Sequence, residues 1–169
     1  MGDAEYIDSI LAPHHSLLTS DMVIACARWY APEHLQKRFM AVYLSVCACE
    51  TSLADPKLGG RLVTEAFNFG CITYGSPNTP WGQIGKGAII VGGRKWWRWG
   101  SAWEGAAALG RLLKTGPGRQ PGFYLRCIEN EDFGALTGTY YGKSVEGYAT
   151  YHKRWMRFYQ VFSRKLTGR

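Results

Sequence analysis

The chain contains no apolar run approaching the ~20 residues that span a bilayer. Its start, Met1-Gly2-Asp3-Ala4-Glu5, has neither the basic residues nor the apolar centre of a secretory leader. Both absences predict a protein made and kept soluble, without membrane insertion. Five scattered cysteines (Cys26, Cys47, Cys49, Cys71, Cys127) include no pair at Cys-x-x-Cys spacing, which argues against a zinc site or a disulfide framework. His14, His15, His34 and His152 show no paired metal spacing, so neither metal nor cofactor is expected. The cluster Gly82-Gln83-Ile84-Gly85-Lys86-Gly87 lacks the essentials of a phosphate loop. Pro80 stands where the first glycine belongs and Gly87 replaces the Ser or Thr, so the cluster reads as a turn. Acid is missing too: no Asp or Glu occurs from residue 66 to residue 103.

What remains is a chain of 169 residues, 46% apolar, which suffices for one continuous core and is read as a single domain over residues 1–169. Twenty Lys and Arg against 13 Asp and Glu leave a net charge of +7, favouring a polyanionic partner such as nucleic acid, anionic lipid or an acidic wall polymer. The pattern is mainly α. Tyr6, Ile7, Ile10 and Leu11 have helical spacing, and Thr19-Ser20-Asp21 offers a cap for a helix from Met22 to Trp29. Pro32 suits the first turn of a longer helix whose inward stripe is Leu35, Phe39, Val42, Tyr43 and Val46. Ala88-Ile89-Ile90-Val91, Gly92-Gly93 and the run from Arg94 to Trp99 predict a β-hairpin. Helical spacing resumes from Trp103 to Leu113 and stops at Thr115-Gly116-Pro117-Gly118; Pro121 opens a short helix. A last helix is predicted over residues 144 to 166, with Val145, Tyr148, Trp155, Phe158, Tyr159 and Phe162 inside and Lys153, Arg154, Arg157, Arg164 and Lys165 outside.

Glu50 stands where the apolar pattern of the third helix gives way to a polar loop. A carboxyl at that junction, half desolvated by the helix behind it, gains the proton affinity of a working acid. The bland alternative is a solvated helix-end residue. Eighteen residues on, Asn68-Phe69-Gly70 sets an amide and a glycine between aromatic rings at the foot of the hairpin. There the amide suits the acetamido group of an amino sugar, or else caps a turn, and Gly70 suits a positive φ.

In these residues the chain resembles the glucosaminidase-type peptidoglycan hydrolases of glycoside hydrolase family 73, related to the flagellar rod muramidase domain and more distantly to goose-type lysozyme and lytic transglycosylases. Glu50-Thr51-Ser52 is similar to the family's helix-ending Glu-Ser, Asn68-Phe69-Gly70 to its Asn-Leu-Phe-Gly, and Gly147-Tyr148-Ala149-Thr150 to its Tyr-Ala-Thr-Asp. The resemblance spans roughly residues 37 to 166 in order. It implies a lysozyme-like helical fold with a small β-hairpin lobe beside the cleft. It also implies Glu50 as catalytic acid, Tyr148 close to the catalytic centre, and a saccharide cleft that includes Asn68, Phe69 and Gly70. Trp97 belongs to an aromatic run, with Trp96, Trp99 and Trp103, that lies where the family leads into its next helix; Trp81 adds a further ring. Flat rings stack on sugar faces, though aromatics at such spacing are as often core.

The family often carries a second glutamate on the hairpin, and the acid-free interval removes it here. Asp55 or Glu65 would have to serve, or the substrate supplies the second group through its N-acetyl oxygen or, in muramic acid, its 6-hydroxyl. The expected partner is therefore the peptidoglycan glycan strand, cut at a β-1,4 bond between N-acetylglucosamine and N-acetylmuramic acid, with no nucleic acid, by a monomer. The expected setting is a bacteriophage lysin, held in the host cytoplasm before lysis or carried by the virion. Rival readings are a lytic transglycosylase leaving anhydro-muramic ends, and a non-catalytic basic virion protein that binds glycan or nucleic acid.

Overall fold

The computed structural model describes residues 1–74 and 86–168. Trp81 and most of the glycine cluster beginning at Gly82 lie outside the described residues. The molecule is mainly helical with one small antiparallel sheet of two strands. Among the described residues no helix is long and apolar enough to cross a membrane.

Helix α1 (Asp3–Leu11) carries Asp3 and Glu5 in its first turn, where the helix dipole favours negative charge. Pro13 helps turn the chain through a 3-10 segment, Ala12–His14. Helix α2 (Ser20–Tyr30) starts at Thr19, whose hydroxyl accepts the Met22 N–H at 3.4 Å. Pro32 precedes a 3-10 turn, Glu33–Leu35, that runs into α3 (Gln36–Thr51). The predicted stripe on α3 is buried, but so is every other residue from Phe39 to Ala48. A helix apolar all round lies at the centre of a core, where no single face is distinguished. Here α8 packs most extensively along α3, and α2 and α5 approach it from other sides. Ser45, the polar residue in this run, returns its hydroxyl to the Ala41 carbonyl at 2.7 Å.

After α3 and the short α4 (Gly60–Thr64) come β1 (Ala88–Val91) and β2 (Arg94–Trp97), paired in register from Ala88 opposite Trp97 to Val91 opposite Arg94. Gly92 and Gly93 turn the chain with φ of 58° and 75°, as a two-residue hairpin loop requires. Thr73 bridges to Trp96, which ties the segment before the undescribed residues to β2. Helix α5 (Ala102–Thr115) begins at Ser101, whose hydroxyl accepts the Glu104 N–H, and stops at Gly116. Helix α6 (Phe123–Asn130) follows Gly122, two residues after Pro121.

Apart from short 3-10 turns, three elements are not predicted by the sequence: α4, α7 (Phe133–Thr137), capped by the Asp132 carboxylate, and a π-helical turn, Gly138–Gly142. A turn over residues 143–147 then precedes the last helix. Helix α8 is Tyr148–Thr167, not residues 144 to 166; Val145 is half exposed, and the buried face is Tyr151, Trp155, Tyr159, Phe162 and Leu166. The cationic side chains predicted outside are exposed.

Candidate active site

Glu50 occupies the last turn of α3. The helix ends in an unusual way, because Ser52, Leu53 and Ala54 all take left-handed φ, at 52°, 62° and 56°. Each such residue with a Cβ costs about 1–2 kcal/mol. Interactions from three sides hold the turn. Leu53 N–H donates to Cys47 O at 3.0 Å, Thr51 Oγ1 to Phe69 O at 2.8 Å, Ser16 Oγ to Leu53 O at 2.6 Å and Leu17 N–H to Ala54 O at 3.1 Å. The free carbonyls of the helix end are taken up by other elements: Arg154 Nη2 donates to Cys49 O at 2.6 Å and Cys71 Sγ to Glu50 O at 3.4 Å. The backbone under Glu50 is thus fixed.

The Glu50 side chain is half-buried, and Tyr151 of α8 donates its hydroxyl to Oε1 at 2.8 Å. Burial raises the Glu50 pKa above its ordinary value, outweighing the Tyr151 hydrogen bond, the Cys71 thiol and the Arg154 charge, which pull it down. Because Oε1 is an acceptor for Tyr151, a proton on the acid belongs on Oε2. The geometry therefore presents a directed acid.

The tyrosine that reaches Glu50 is Tyr151, not Tyr148. Tyr148, in the first turn of α8, donates to Gly134 O at 3.1 Å, lies 3.2 Å from Thr137 Oγ1 and stacks on His152. It pins α8 to α7. One turn further along the helix Tyr151 meets the carboxyl, and the Tyr141 ring stacks on it at 4.3 Å and 20°. Tyr141 comes from the π-turn, as does Tyr140, whose hydroxyl donates to Gly70 O at 2.5 Å. A π-helical turn is a rare irregularity that recurs at functional sites, and this one delivers adjacent tyrosines to the two sides of the Glu50 neighbourhood.

The residues expected to touch sugar are spent on scaffold. Asn68 is fully buried; Nδ2 donates to Ile72 O at 2.9 Å and Trp97 O at 3.0 Å, and Oδ1 accepts Ile72 N–H at 2.7 Å. Both amide protons are used, so none is left for an acetamido group. Phe69 is fully buried. Gly70 does not sit at positive φ; a Cβ there would come 2.7 Å from both Leu109 Cδ1 and the Tyr140 hydroxyl, so it is glycine for close packing. Positive φ falls instead at Phe67 and Cys71, each at 49°. Trp97 turns into the core, its ring 4.3 Å from that of Tyr74. Asn68 is thus the tie between the loop under Glu50 and β2.

Neither candidate second carboxylate is free. Asp55 accepts the Lys57 and Leu58 N–H groups at 2.8 and 3.0 Å, with His14 at 3.6 Å, and these hold its carboxyl below the usual range. Glu65 is forked to Arg61 at 2.9 and 3.0 Å, which lowers it as well. The hairpin's Lys86, Arg94, Lys95 and Arg98 are exposed. A cavity of about 680 Å³ lies at the far ends of α3 and α8, lined by Lys37, Arg38, Met40, Tyr159 and Thr167 among others, away from Glu50. Among the described residues no group of three or more His, Cys, Asp or Glu side chains could hold a metal ion. No family model matches the chain, and no curated protein or solved structure matches it significantly.

Proposed function

We propose that the protein is a peptidoglycan hydrolase of lysozyme-like architecture, cleaving the β-1,4 bond between N-acetylglucosamine and N-acetylmuramic acid with Glu50 as general acid. One observation carries the reading: a half-buried carboxyl, raised in pKa by desolvation, with Oε1 fixed by Tyr151 and Oε2 left to deliver the proton. The ordered resemblance of Glu50-Thr51-Ser52, Asn68-Phe69-Gly70 and Tyr148-Ala149-Thr150 to family 73 motifs supports the substrate class, as does the +7 charge for a wall bearing carboxylates and phosphates. The setting that follows is a phage lysin acting from the host cytoplasm or the virion.

A second reading, lytic transglycosylation, is favoured by the occupied state of Asp55 and Glu65. In that route the muramic 6-hydroxyl attacks the anomeric carbon, the Glu50 proton goes to the departing oxygen, and the carboxylate recovers a proton from the attacking hydroxyl. Hydrolysis with help from the N-acetyl oxygen needs the same acid. The test is clearing of permeabilised cells by wild type and Glu50→Gln, with mass spectrometry of the released muropeptides. The glutamine variant is expected to lose about 10²-fold or more. Anhydro ends in the wild-type digest would select transglycosylation, reducing ends hydrolysis, and equal clearing by both proteins would end the proposal.

A further inference from the structure

Two tryptophans stand side by side in solvent. Trp29, on the last turn of α2, is 57% exposed and Trp103, on the first turn of α5, is 44% exposed. Their ring centroids are 6.2 Å apart with planes at 46°, and Tyr30 meets Trp29 edge-on at 6.4 Å. Trp97, Trp99 and Trp155 are by contrast buried in the core. The base of the pair is rigid. The Cys26 thiol and the Tyr43 hydroxyl both donate to Ala106 O, at 3.4 and 3.0 Å, and Gly110 lets the Tyr30 ring sit where a Cβ would be only 2.6 Å from it.

We propose that Trp29 and Trp103 form a second saccharide-binding surface, on which amino-sugar rings of the wall glycan lie, separate from Glu50. The identity of that glycan rests on the peptidoglycan reading. Flat, rigid indoles offer apolar faces to the C–H faces of pyranose rings and lose little entropy on binding. Polar groups flank them in the chain: Arg28 and Glu104 are exposed, and Glu104 gives one oxygen to Gly100 N–H at 2.6 Å while its other oxygen has no described partner. Carboxylate and guanidinium groups next to the indoles in the chain can hydrogen-bond sugar hydroxyls. Area argues against a second copy of the chain: two indoles so exposed offer roughly 250 Å², against about 800 Å² per partner in a stable interface.

The test uses Glu50→Gln protein, so that nothing is cut. Binding to purified sacculi is measured by pelleting, and to chitotetraose by tryptophan fluorescence, with and without Trp29→Ala and Trp103→Ala. The double variant is expected to bind sacculi about tenfold or more weakly and to lose its fluorescence response, while Trp29→Tyr with Trp103→Tyr keeps part of the affinity. Unchanged binding in the alanine variant overturns the platform. So does self-association that vanishes with the two rings, or an oligodeoxythymidine that binds through them more tightly than glycan. Full lysis by Glu50→Gln would sink the acid reading alone and leave the platform standing.

Discussion

At the scale of single residues, Glu50 works against the fold that holds it. A carboxyl with a raised folded pKa contributes stability that is complete below its unfolded pKa and lost as pH rises through the folded value. Glu50→Gln keeps an acceptor for Tyr151 and carries no charge. Its melting temperature should match wild type near pH 4 and exceed it at pH 7 to 8, a crossover that thermal scans across pH reveal. Tyr151→Phe removes the hydrogen bond that lowers the Glu50 pKa and leaves the burial that raises it. The Glu50 titration, followed by carboxyl NMR, should move upward, and the alkaline limb of the activity profile should move with it. Tyr148→Phe should leave that titration in place and cost about 1 kcal/mol through its lost bond to Gly134.

Among the elements, the ones whose signals are local were legible. The hairpin follows from Gly92-Gly93 between β-forming runs, α2 from Thr19 as its cap, and α5 from the helical spacing of Trp103 to Leu113. The end of α3 at Glu50 follows from the apolar pattern stopping there. The start of α8 was not legible: residues 143–147 form a turn rather than the first turn of the helix, although the inward Trp155, Tyr159 and Phe162 are buried as their spacing predicts. The later start leaves Tyr148 in the first turn against Thr137 and Tyr151 for Glu50. Asn68 illustrates a different limit: an amide aimed at a ligand and one bonded to backbone 29 residues away look the same in sequence. Asn68→Ala strands the Ile72 N–H and the Trp97 carbonyl in the core, while Ile72 O keeps the Trp97 N–H, and should cost about 3 kcal/mol or more in denaturant unfolding. A loss of substrate affinity with stability intact would return Asn68 to the sugar.

At the scale of the whole molecule, charge and chemistry occupy different parts of the surface. The acid sits in a desolvated corner fixed by α3, α8 and the π-turn, whereas Lys86, Arg94, Lys95 and Arg98 stand exposed on and beside the hairpin. No acidic residue lies in the chain from 66 to 103 to neutralise them locally, so this lobe concentrates part of the +7 charge. Exposed charges attract a polyanion over a Debye length, about 10 Å at 0.1 M salt, and that attraction acts on encounter more than on the bound geometry. Arg94→Glu with Lys95→Glu leaves Glu50, Tyr151 and the buried Trp97 untouched. In pelleting with sacculi the reversed protein should bind more weakly than wild type at low ionic strength, and the two binding curves should converge as salt rises. The Glu50 titration should be the same in both. A deficit that persists undiminished at high salt would mean that the hairpin holds the wall by specific contact rather than by its field.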